Sequence, residues 1–232
     1  MTVDAPILTA RFWRTRRSAA LAGIVFAVLL LAALTMARLA LAEGSFQTLQ
    51  TDAQKRALIR LSIGLVPFAG IAFLWFIGVV REQLGEVEDR LFSTVFMGSG
   101  LLFLAMLFGA TVTSGSLLQM LAGQGLNADV FAYGRDISQG YLSVYAMRMA
   151  AVFTISVSTA ALRTAALPRW VSYLGYLIAL VLLVAAGEHR WTQLAFPSWV
   201  LLVSLVILFV RPPNRTRAVE VGPDSDTETG AP

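Results

Sequence analysis

Between Asp136 and Arg163 the chain reads DISQGYLSVYAMRMAAVFTISVSTAALR, a long apolar run with one charge well inside it, Arg148. At 100° per residue, Ser138, Tyr141, Tyr145, Arg148, Ser156, Thr159 and Arg163 share one broad helical face. It is the most polar stripe in any apolar segment of the chain. Asp136 and Gln139 stand at the spacing of a capping box, which places the helix start at Asp136. Arg148 then lies roughly 18 Å along the axis, near the middle of a hydrocarbon layer of about 30 Å. An arginine there costs on the order of 2.5–3.5 kcal/mol on insertion scales, so it requires partners or a route to water.

Three arrangements satisfy that requirement. The helix protrudes and Arg148 snorkels outward along its aliphatic stem. Alternatively, neutral groups or a dipping outer acid hold it in a buried network, with Thr113, Ser116, Gln119 and Asp129 as candidates. Or it binds an anionic ligand. The candidate ligand-binding set is Arg148, Tyr145, Tyr141 and Gln119, joined by Arg38 and Arg60 if those also reach an outward-facing cationic pocket.

Other chemistries are excluded by composition. No Asp or Glu lies inside an apolar segment, and an arginine does not exchange its proton, so a proton relay lacks its titratable group. Cysteine is absent and His189 is the single histidine. That removes disulfides, thiolate metal sites, cysteine nucleophiles and bis-histidine haem within one chain. His189 beside Glu188 reads as an ordinary loop histidine. There is no HExxH, GxSxG, Walker A or dinucleotide fingerprint, and no paired intramembrane aspartates. The expectation is no catalytic residue, no metal and no cofactor.

The elements that position these residues are membrane spans. The 232 residues are 57% hydrophobic and 14% charged, against about 45–50% and about 25% for soluble domains. Apolar runs of spanning length lie at about 18–41, 57–80, 91–118 and 138–162, with shorter ones at 171–186 and 196–210. The expected fold is an all-α, six-helix transmembrane bundle. Residues 1–17 form a basic leading segment and 211–232 a disordered tail. Residues 121–135, rich in glycine, read as loop. Pro67 is expected to kink the second span. Ala40-Leu41-Ala42 resembles a signal-peptidase site, but the apolar run before it is longer than a signal core, which favours an uncleaved span.

Topology follows from the basic residues. With the N-terminus inside, Arg11, Arg14, Arg16, Arg17, Arg81, Arg90, Arg163, Arg169, Arg211, Arg215 and Arg217 lie on the cytoplasmic side. Lys55, Arg56, Arg60, Arg135 and Arg190 lie outside. That asymmetry puts both termini in the cytoplasm. The excess of positive charge is therefore a membrane signal, and no nucleic-acid partner is expected. Trp13, Trp75, Trp170, Trp191 and Trp199 sit near span ends, as interfacial aromatics do.

The segments FLWFIGVVR at 73–81, EDR at 88–90 and LPRW at 167–170 resemble a group of small actinobacterial integral membrane proteins of unknown function. The resemblance covers spans 2, 3 and 5, about half of the chain. It implies the multi-pass architecture and carries no activity. The functional expectation is a non-catalytic protein of the cell membrane, in a bacterial inner membrane. Its partners would be the lipid bilayer and another membrane protein or a second copy of itself. The competing expectation is a small transporter or channel with an outward-facing polar pocket around Arg148.

Overall fold

The structure, a computed structural model, describes residues 5–41, 46–84, 90–122, 127–164, 167–185 and 191–209. The expectations for the 211–232 tail, the Ala42 end of the signal-like site and His189 fall outside these residues. Among the described residues there is no strand. The helices are α1 (Ala5–Leu41), α2 (Phe46–Thr51), α3 (Ala53–Leu84), α4 (Arg90–Ala122) and α5 (Ala128–Gln139). One wide π-helical turn, Gly140–Ala146, joins α5 to α6 (Met147–Thr164). Then come α7 (Arg169–Val184) and α8 (Thr192–Phe209).

Among the described residues, five segments are long and apolar enough to cross a membrane: Ala20–Ala40, Ala53–Arg81, Ser93–Ala122, Ala128–Thr164 and Thr192–Phe209. The described residues thus fold almost wholly as helix, with apolar helices of the length a membrane protein needs. Helix α7 is apolar but has 16 residues, roughly 24 Å, shorter than the hydrocarbon layer it would cross.

Apolar surroundings require every polar group to find a partner inside the protein. Several hydroxyls do this locally, while those of Ser158, Ser172 and Ser204 are buried without a hydrogen-bond partner among the described residues. Thr111, Thr113, Thr154, Ser156, Thr159 and Thr164 each donate to the carbonyl four residues back, at 2.8–3.0 Å. The polar-looking end of α4 is to that extent self-satisfied. Ser62 instead donates across to Ala33 O at 2.8 Å, fixing α3 against α1.

Helix α1 packs on α3 and α8, while α6 packs on α7 and α4. Their meeting place is a cluster of phenylalanines. Phe26, Phe73, Phe103, Phe153 and Phe196 are all fully buried. Ring centroids lie 4.5 Å apart for Phe26–Phe73, 4.9 Å for Phe103–Phe196 and 5.1 Å for Phe73–Phe153. Tilted and edge-on pairs of this kind add about 0.5–1.5 kcal/mol each beyond area burial. Outward from the bundle, Phe68, Trp75, Val112, Tyr173 and Val184 are exposed, an apolar surface that suits lipid.

A second, smaller cluster lies at one end. Ala40, Leu49, Ile59, Leu121 and Phe131 bring together the ends of α1 and α4, the start of α3, and α2 and α5. It forms a cap on the bundle. Here the structure corrects the sequence reading. Residues 128–135 are helix, not loop. The start is at Asn127, whose side chain accepts from Val130 N at 2.8 Å, the bond expected of an N-cap. Asp136 lies inside α5 and caps nothing.

The π turn is a second correction. It accommodates an additional residue in the helix, so side chains beyond it are turned by roughly 100° from a continuous α-helix. The polar stripe drawn for a continuous helix is therefore divided. Ser138, before the turn, faces α4, while Arg148, beyond it, is exposed.

Candidate functional site

Gln193, at the second position of α8, is 6% exposed. The Arg38 guanidinium donates to its Oε1, and its Nε2 donates to Ser143 Oγ inside the π turn. Three segments distant in sequence, the end of α1, the π turn and the start of α8, are thereby pinned at one level along the bundle. Sequence reasoning read residues 187–195 as loop and missed Gln193. The signal present there was Pro197, which reads as a helix interruption. In the structure it lies within the early part of α8 and leaves the carbonyl four residues back, that of Gln193, without its helical donor.

This level is a ruler for the other candidates. Arg148 is five positions beyond Ser143 along the helix, about 7 Å toward the other end of the bundle. It is exposed. Tyr145 is 59% and Tyr141 37% exposed, and the Tyr141 ring lies against Gly109 of α4. None of the three side chains makes a hydrogen bond or ion pair among the described residues. The partners expected for Arg148 are turned elsewhere. Thr113 bonds Gly109 O at 2.9 Å, while Ser116, Gln119 and Asp129 are exposed.

Of the six candidate residues, Arg38 is half-buried and partnered, and Arg60 and Gln119 are exposed on α3 and α4. Arg60 lies two residues from Ser62, which meets Ala33, so it is within about 5 Å of the Arg38 level. The structure places Tyr141, Tyr145 and Arg148 on one exposed run and does not gather the six into a pocket.

A cavity among the described residues lies elsewhere, in the cap. It has a volume of about 70 Å³ and is lined mainly by Leu49, Ile59, Leu117, Leu118, Leu121 and Phe131, with Arg135, Ser138 and Gln139. None of the six candidates borders it. Ser138 donates to Ala110 O at 2.9 Å, so Ser114, 2.8 Å away, donates to Ser138. Arg135 reaches Asp136 at 3.4 Å, and its Nε is buried without a partner. Hydroxyls already bonded to one another leave this space apolar in character. Among the described residues no group of three acids or histidines could hold a metal ion.

No family model, curated protein or solved structure matches this chain.

Proposed function

We propose that this protein is a six-span component of a bacterial cell membrane that acts by binding another membrane protein, without catalysis. The observation that carries the reading is on α5. Val130, Tyr133 and Ile137 are exposed at 43%, 70% and 36%, and their spacing of three and four puts them on one side of the helix. Phe131, more than a quarter-turn round the helix from Val130, is buried against the cap. Tyr133 and Val130 lie roughly 15 Å and 19 Å beyond the Ser143 level. If that level marks the hydrocarbon edge, the stripe stands past the headgroups, which together add only about 10–15 Å over both faces. Lipid tails cannot cover an apolar stripe there, and a partner protein can.

The transporter reading loses the support it had in the sequence. Arg148 faces out of the bundle, and the five central phenylalanines fill the space a conduit would use. Both termini are assigned to the cytoplasm from the arginine asymmetry, with the cap outside. Kinship with small actinobacterial integral membrane proteins of unknown function is part of this reading.

The test is a photo-crosslinking residue placed at Val130, Tyr133 or Ile137 in native membranes. The expected product is one protein adduct, shared by all three positions and lost from a site on the lipid-facing surface such as Phe68. Absence of a protein adduct at all three, or solute flux by the purified protein in liposomes above protein-free controls, contradicts the reading.

A further inference from the structure

We propose that Arg148, Tyr145 and Tyr141 form a binding site for the phosphate of a phospholipid headgroup in the leaflet on the cap side. The inference rests on the membrane placement above and uses residues outside the cap stripe. Arg148 carries a full charge on the lipid-facing surface of a spanning helix and has no protein partner among the described residues. Such a charge requires an anion or water.

Its depth selects the source. The Cα is about 7 Å inside the Arg38–Gln193–Ser143 level, a distance that an extended arginine stem covers by snorkelling. The guanidinium then arrives at the hydrocarbon edge. Tyr145 stands one turn above Arg148 on the helix. Tyr141 lies slightly beyond the Ser143 level, its ring held against Gly109. The three form a ladder rising toward the headgroups. A planar guanidinium offers two parallel donors to phosphate oxygens, and each phenol offers one more.

A second copy of this chain cannot supply the anion. The acids inside the described spanning segments, Asp129 and Asp136, stand beyond the Ser143 level on the cap side, so a copy packed alongside in the same orientation brings no carboxylate to the depth of Arg148. Arg60, at comparable depth on α3, has no tyrosine within a turn on either side. It is the natural control for charge alone.

The experiment is lipid titration of the delipidated, detergent-solubilised full chain, read by native mass spectrometry. The probes are phosphatidylglycerol, diacylglycerol with the same chains, and inorganic phosphate. Wild type is expected to retain phosphatidylglycerol well above diacylglycerol and to show no inorganic phosphate adduct. Arg148→Gln lowers the phosphatidylglycerol adduct by about fivefold or more, and Tyr145→Phe lowers it by about twofold. Arg148→Lys, which keeps the charge and loses the fork, falls between. Arg60→Gln leaves the first adduct in place.

An unchanged adduct in Arg148→Gln overturns the site. So does an equal loss in Arg60→Gln, or equal retention of diacylglycerol. Inorganic phosphate binding at the same occupancy overturns the lipid source. Failure of the membrane placement shows itself separately, as equal labelling of Gln54→Cys and Arg169→Cys by an impermeant maleimide on intact cells.

Discussion

Gly175 shows how close the helices come at the level of single residues. A Cβ there would strike Ser158 Oγ and lie 3.0 Å from Trp199 Nε1, so α6, α7 and α8 meet around a missing methyl group. Gly78 has no neighbouring atom within 4 Å of the same construction. Gly175→Ala is therefore expected to destabilise by about 1–3 kcal/mol through overpacking. Gly78→Ala is expected to be neutral or slightly stabilising, since alanine is the better helix former by up to about 1 kcal/mol. Unfolding midpoints of the two variants in one detergent decide it, and equal midpoints contradict the packing. Glycines alone could not reveal this difference, because the sequence marks both positions identically. Arg148 was legible as an anomaly for the opposite reason: a charge inside an apolar run is visible without any structure. Which way it faced was not, because that depended on the helix register.

At the scale of elements, the register was set by two features. Asn127 starts α5 well before Asp136, and the π turn then resets the side-chain directions. Asn127-Ala-Asp129 does carry the signature, an Asn cap followed by an acid in the first turn. It was obscured by the glycines just before it and by the more conspicuous Asp136–Gln139 pair. The π turn left no comparable trace, because no residue type dictates one. Its position is fixed by distant partners, Gln193 on Ser143 and α4 on Ser138. Asn127→Ala is expected to cost about 1 kcal/mol locally and to raise amide exchange in the first turns of α5. Exchange in α6 stays as in wild type. Unchanged exchange at Val130 and Phe131 would show that the cap bond contributes nothing. The long apolar helices, by contrast, were plain from hydropathy, since bilayer thickness sets their length and lipid forbids interior charge.

The molecule as a whole is a bundle closed by its aromatic core. The aromatic core joins α1, α3, α4, α6 and α8. The cationic groups that suggested a pocket are instead tied to Gln193, in the case of Arg38, or spread over the surface. In the proposed reading, a bundle closed by this core presents its surfaces to lipid and to a partner and leaves solutes no passage. The absence of cysteine makes one test of that claim clean. Ala69 and Ala150 are fully buried, on α3 and α6, and Gln54 is exposed at the start of α3. Single cysteines at the three positions are to be reacted in intact membranes with a small, water-soluble thiosulfonate. The closed bundle predicts rapid reaction at Gln54→Cys and none at Ala69→Cys or Ala150→Cys until the protein is denatured. Reaction at either buried position in the native membrane would reveal an aqueous path through the bundle and contradict the account.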